Sequence, residues 1–296
     1  MLTVMTNEIE MNNITVDTCT FAVPPSTKSL PRLPHDDLLT DMDDRLLANP
    51  PLTQEIIAFP GMGRLDESLP LRTLKKINNG LKKLVADNPE IFEGAIATLP
   101  LGHSEQAEKV LMEDIASSDS LLGGQIPSMY HHDLLSSACF ESLFKTASDI
   151  SRPLWMIDAD ADQICEVLLN CIRQDYFVKY PHLIVIAHGV FASDKVLSLF
   201  ESIQQNHLTH VYCDTALMDP RLLTTVVSTY GADNILFSSH LPLAHLSASD
   251  DPYDMLSHAI SQVKNCVSQD TEVASILSDN WNHLMSHLPV RVPDEK

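Results

Sequence analysis

The chain has 296 residues, 44% of them apolar, and carries 40 Asp and Glu against 19 Lys and Arg, a formal charge of −21. So large an acidic excess repels nucleic acid and anionic membrane surfaces, so neither is expected as a partner. No basic segment followed by an apolar one opens the chain, and no run of about 18 apolar residues occurs, so a cytoplasmic protein without a membrane span is expected. The length suits a single barrel-sized domain over residues 1–296. Six cysteines, at 19, 139, 165, 171, 213 and 266, show no CxxC spacing and fall mostly in apolar segments, as buried thiols in a reducing compartment do.

In chain order, residues 12–23 (NNITVDTCTFAV) alternate and are β-branched, which predicts a first strand. Residues 24–51 follow with six prolines and the acidic cluster DDLLTDMDD, a long loop that is a candidate lid. QEIIAF at 54–59 reads as strand two, and the spacing of apolar residues from Leu71 predicts an amphipathic helix ended by Asn88-Pro89. GAIATLPL is strand three, SEQAEKVLMEDIASS a helix, GGQIPS strand four, CFESLFKTASDIS a helix and PLWMIDAD strand five. A helix over ADQICEVLLNCIRQDYFVKYP leads to YPHLIVIAHG, strand six, an unalternating apolar run of the kind buried on both faces of a parallel sheet. SDKVLSLFESIQQ (helix), HVYCDT (strand seven), PRLLTTVVSTYG (helix), NILFSS (strand eight) and helices near 252–269 and 271–286 complete the chain. Eight alternations of strand and helix predict an α/β protein with a (β/α)8 TIM barrel.

In such a barrel, chemistry sits where strands end and βα loops begin. His188 and His240 each close an apolar run, and Asp158 closes strand five. These three are the catalytic candidates. Asp160 and Asp162 suit the start of the next helix, while His131 and His132 lie in a loop after strand four and could reach the mouth. Few cations are placed to attract an anionic substrate: Lys28, Arg32, Arg64 and Arg152, of which Arg64, Arg152 and His131 are the substrate-binding candidates. GMG at 61–63 lacks the spacing of a phosphate loop, no GxSxG or HExxH is present, and SSHLP is no catalytic triad because adjacent residues at a strand end point in different directions.

NPEIFEGAIATLPL, GGQIPS, RPLWMID, YPHLIVIAHG, VYCDT, GADNILFSSHLP and SDNWNHLM, in this order, resemble the successive blocks of amidohydrolase-related proteins (amidohydrolase family 2) of the aminocarboxymuconate-semialdehyde decarboxylase type. The resemblance spans roughly residues 14–286 and implies a metal-dependent-hydrolase-like TIM barrel. It also implies decarboxylase, hydratase or hydrolase chemistry on small, often carboxylated, cyclic or unsaturated acids. The family's metal-binding HxH pair falls at Cys19 and Phe21, in a context that keeps Asp17, Pro24 and Pro25. The family's strand-five ligand histidine falls at Asp158, and its strand-eight aspartate at His240. Only His188, an acid or base beside the metal in these decarboxylases, matches its counterpart.

Two site readings stand. In one, Cys19, Asp158, His188 and His240 form a rearranged metal set, zinc being the divalent ion they suit best. In the other there is no cofactor, with His188 and His240 as acid and base and Asp158 orienting one of them. The expected function is a carboxy-lyase or hydrolase acting on a small organic acid. The alternative is a catalytically silent paralogue serving as a structural or regulatory subunit. A homodimer or a heteromer with an active paralogue is the expected assembly.

Overall fold

The computed structural model describes residues 15–22, 53–59, 71–101, 104–126, 129–130, 133–134, 137–157, 160–240 and 252–288. The predicted lid over 24–51 and the candidates Lys28, Arg32, Arg64, His131, His132 and Asp158 lie outside these residues.

Eight parallel strands run in the order β1 (Thr15–Phe21), β2 (Thr53–Ala58), β3 (Phe92–Thr98), β4 (Leu121–Ile126), β7 (Leu154–Met156), β8 (Val185–Ala187), β9 (Val211–Asp214) and β10 (Ile235–Leu236). The remaining pair, β5 (Met129–Tyr130) and β6 (Asp133–Leu134), is a small antiparallel ladder after β4. The Thr18 N–H donates to the Phe237 carbonyl at 2.9 Å, joining the first strand to the segment after the last and closing the ring. The fold is the predicted (β/α)8 barrel.

Alternation along the strands separates two apolar layers. Ile56, Ala58, Ile96, Trp155, Ile186, Tyr212 and Leu236 fill the barrel interior, whereas Ile57, Ala95, Ala97, Met156, Val185, Ala187 and Cys213 face the surrounding helices. Trp155, fully buried, spans the interior and donates its indole N–H to the Thr18 carbonyl at 3.2 Å. Such a side chain contributes on the order of 3–5 kcal/mol relative to alanine. At the N-terminal end of the strands the last helix closes the floor: Trp281, Leu284 and Leu288 join the interior layer, and the Trp281 indole donates to Glu93 Oε1 at 2.8 Å.

Helix α1 (Leu71–Asp87) buries Leu74, Ile77, Leu81, Leu84 and Val85, the stripe its apolar spacing predicts. It also buries Asn78, whose amide donates to the Thr98 carbonyl at 3.0 Å and accepts from the Thr98 N–H at 2.8 Å. Both backbone groups at the end of β3 are thereby satisfied without a further ladder.

Three predicted helices are divided, the first being SEQAEKVLMEDIASS, an α-helix over Ser104–Lys109 that continues as a π-helical turn at Val110–Ile115. ADQICEVLLNCIRQDYFVKYP forms Ala161–Arg173, N-capped by Asp160, and then Tyr176–Lys179, because Asp175 takes a left-handed conformation at φ 56°. The closing helix contains a π-helical turn at Ser275–Asp279.

Strand tilt sets which inward side chains share a level. Followed from Phe21, the pairing runs through Ala58, Ile96 and Gly123 and arrives near Ala232, yet the ring closes with Thr18 against Phe237. Level positions therefore rise by about one residue per strand in this direction, as the stagger of an eight-stranded barrel requires.

Candidate active site

His188 follows β8 directly, and its backbone N–H is held by the Met156 carbonyl at 3.0 Å. Ile186 points inward and Ala187 outward, so His188 points inward, where it is 1% exposed. Gly189 then turns the chain at φ 72°, a conformation glycine adopts without a Cβ penalty. Its N–H donates to Asp214 Oδ1 at 2.9 Å, and the Ala216 N–H donates to the same oxygen at 3.1 Å. The other Asp214 oxygen, Oδ2, meets His188 Nδ1 at 2.6 Å. Asp214 ends β9 and is fully buried, so its carboxylate is fixed on both oxygens.

His240 arrives from the far side of the closure. Ser238 donates its hydroxyl to the Cys19 carbonyl at 2.8 Å, and the Ser239 N–H donates to Asp17 Oδ1 at 3.1 Å, tying the chain after β10 to β1. His240 then adopts φ 60°, sparsely populated by non-glycine residues. That turn swings its ring over His188, where Nδ1 meets His188 Nε2 at 2.7 Å. The Phe21 ring stands edge-on to both imidazoles, 5.7 Å from His188 and 5.2 Å from His240 between centroids.

Electrostatics give the two rings different roles. Burial works against charge on His188, but the Asp214 carboxylate, assisted by the Cys19 thiol, outweighs it and holds the imidazole well above its ordinary value. Burial, reinforced by His188 beside it, pushes His240 down to about 3. Burial likewise pushes the Cys19 thiol up, against the pull of His188. The arrangement is a chain: His188 as imidazolium donates Nδ1–H to Asp214 and Nε2–H to His240 Nδ1, leaving the His240 proton on Nε2. His240 is partly exposed and His188 is not, so His240 is the outer member.

The two histidines thus meet at one rim of the barrel. The carboxylate beside them is Asp214, which the sequence reading did not single out although VYCDT placed an acid at a strand end. Arg152 needs a correction. It is buried and precedes β7, which sets it at the N-terminal end of that strand, the end opposite His188. Cys19 is fully buried and lies beside His188.

No family model and no curated protein matches the chain. Solved structures do. An amidohydrolase II shares 18% identity over 92% of this chain and 100% of its own, with TM-score 0.71. 2,6-Dihydroxybenzoate decarboxylase from Rhizobium shares 15% over 93% and 99%, with TM-score 0.69. Dihydroxybenzoic acid decarboxylase from Polaromonas sp. JS666, solved with bound manganese and the inhibitor 2-nitroresorcinol, shares 15% over 94% and 98%, also with TM-score 0.69.

The described residues do not fit such an ion. A cation needs deprotonated thiolate and free imidazole lone pairs converging on one point. Here the facing nitrogens of His188 and His240 bond each other, His188 Nδ1 is committed to Asp214, burial keeps Cys19 protonated, and Phe21 lies against both rings. Among the described residues no group of three or more His, Cys, Asp or Glu is arranged to hold a metal ion. What the likeness establishes is the fold, the barrel on which that amidohydrolase and these two decarboxylases are also built.

Proposed function

We propose that this protein is an acid–base enzyme acting on a small organic acid, by decarboxylation, with its proton carried by the chain Asp214, His188, His240 in place of a divalent metal. The observation that carries this reading is the 2.7 Å contact between His188 Nε2 and His240 Nδ1, backed by the buried Asp214. Likeness of fold to aromatic-acid decarboxylases supports the choice of reaction.

Decarboxylation exchanges a carboxylate for a proton on carbon. His240 Nε2–H delivers that proton to the carbon bearing the carboxylate. As it leaves, the His188 Nε2 proton passes to His240 Nδ1, so the positive charge on His188 is discharged and the C–C bonding pair takes up the incoming proton as CO2 departs. Solvent then reprotonates the chain at His240 Nε2. Before the transfer, the imidazolium at His188, held by Asp214, offsets the negative charge of a bound carboxylate, an electrostatic contribution made larger by the water-poor interior. Arg64, His131 and Asp158 are assigned to substrate binding or orientation in this reading on sequence grounds alone.

The test is release of labelled CO2 from a panel of small hydroxylated, unsaturated and aromatic acids carrying 13C in the carboxyl group. His188→Ala and His240→Ala should each lower turnover of the responding acid by about two orders of magnitude or more. Full activity in both variants would sink the reading. A chain inert toward the whole panel would favour a non-catalytic subunit instead.

A further inference from the structure

The His188 level of the barrel contains a second inward-facing polar group that the proton chain does not use. Gln125 lies between Gly124, whose added Cβ would meet Leu99 of the outer layer at 2.8 Å, and Ile126, itself in that layer, so Gln125 faces the interior. The pairing joins Gln125 to Trp155 and Trp155 to Ile186. With the rise of about one residue per strand, Gln125 is level with His188, and the two are neighbouring members of one layer of four from alternate strands. Thr98 is the ladder partner of Gln125 and, two residues after inward Ile96, also faces in.

Thr98 is fully buried and Gln125 is 4% exposed, yet among the described residues Thr98 Oγ1 and Gln125 Oε1 have no hydrogen-bond partner. The Gln125 amide nitrogen donates a long bond, 3.4 Å, to the Phe59 carbonyl, which fixes the other end as the acceptor. The Thr98 backbone is clamped by Asn78, which fixes the point from which its side chain enters the interior. Native proteins rarely leave buried polar atoms unmatched on two ladder-partner residues, because each costs roughly 1–3 kcal/mol.

We infer that Thr98 and Gln125 form a hydroxyl-binding subsite facing the His188–His240 pair. The inference rests on the proposed function for what happens to the ligand, though not for its binding. The chemistry selects the group. Gln125 Oε1 only accepts, so it takes a hydrogen bond from the ligand and repels a carboxylate oxygen. Thr98 Oγ1–H donates to the same ligand atom. A single atom that donates to one and accepts from the other is a hydroxyl oxygen, alcoholic, enolic or phenolic. The subsite orients a hydroxylated acid with its hydroxyl on β3 and β4 and its carboxyl toward the histidines. It also explains how an acidic protein whose one described candidate arginine, Arg152, stands at the other end of the barrel could hold an anionic substrate by a neutral handle.

The test uses two probes, 2-hydroxybenzoate and 2-methoxybenzoate, the second able to accept but not donate. Their affinities are measured by ligand-observed NMR for the wild-type protein, Thr98→Val, Gln125→Leu and His240→Ala. The hydroxyl probe should bind wild type about tenfold more tightly than the methoxy probe, in line with the cost of an unmatched buried acceptor. Thr98→Val and Gln125→Leu should reduce that ratio to near one while keeping or raising the melting temperature, since each removes an unmatched buried polar atom. His240→Ala should keep the ratio. Equal binding of the two probes to wild type, or a ratio unchanged in both subsite variants, overturns the inference. So does a crystal structure in which a water joins Thr98 to Gln125 and stays when the hydroxyl probe is bound. Loss of CO2 release in His240→Ala with the ratio intact upholds both proposals. A ratio near one in wild type with CO2 release intact removes the subsite alone.

Discussion

His188 and His240 meet nitrogen to nitrogen at 2.7 Å, their rings 25° apart in plane and 4.9 Å between centroids. Two imidazoles so close cannot both be charged, and the buried Asp214 decides which one is. Charge belongs to the inner ring and access to solvent to the outer one, so a proton crossing between protein and mouth passes through both.

Asp214→Asn removes the opposing charge and leaves burial acting alone on His188. The imidazolium should then give way to the neutral ring, moving the alkaline limb of the pH–rate profile to lower pH by about one unit or more and lowering turnover by about two orders of magnitude. A profile measured on the responding acid that keeps the wild-type limb would show that Asp214 only props the loop.

The same pair makes stability depend on pH in both directions. His188, raised above its ordinary 6.5, contributes stability that is fully present below 6.5 and is lost as pH rises toward its folded value. His240, lowered to about 3, favours the neutral form, so its contribution is present above 6.5 and is lost as pH falls from there to about 3. The difference in melting temperature between wild type and a His188→Gln/His240→Gln double variant, measured by calorimetry from pH 4 to 9, should therefore peak near pH 6.5. A difference that is flat across the range would contradict the charge assignment.

Glu93 tests the floor of the barrel. Burial raises its carboxyl, with the Trp281 indole pulling the other way, and its Oε2 is buried without a hydrogen-bond partner among the described residues. A raised carboxylate gives stability that is complete below 4.5 and is lost as pH rises through the folded value. Glu93→Gln keeps an acceptor for Trp281 and cannot ionise, so its melting temperature at pH 8 should equal or exceed that of wild type. At pH 4 the advantage should vanish. A variant clearly less stable at pH 8 would mean that the ionised form is matched in the folded protein.

Metal content separates the two site readings. Protein purified without chelators should contain a divalent ion well below one per chain by elemental analysis. Turnover should survive excess EDTA and the Cys19→Ser substitution. Stoichiometric metal lost together with activity in either treatment would restore the rearranged metal set.

Much of the scaffold was legible in the sequence because its signals are local. Unalternating apolar runs such as LIVIA predict strands buried on both faces, and the apolar spacing from Leu71 predicts a helix stripe whatever surrounds it. Strand ends can be located the same way: His188 directly follows the run LIVIA, and His240 follows ILF after two serines. The breaks at Asp175 and Ser275–Asp279 could not be, since a left-handed residue and a π turn are set by how the flanking segments must pack.

By itself, then, the sequence determined the order of the elements, the barrel class and the strand-end placement of the two histidines, since each follows from periodicity over a few residues. Only the tertiary structure decided who pairs with whom. Asp214 reaches His188 because β8 and β9 are ladder neighbours, and His240 reaches it because a positive φ after the closing strand turns its ring inward. Thr98 and Gln125 read as ordinary strand residues until register and tilt bring them to the histidines' end of the interior. Contacts across a closed barrel depend on stagger summed around the whole ring, a quantity that no single stretch of sequence contains.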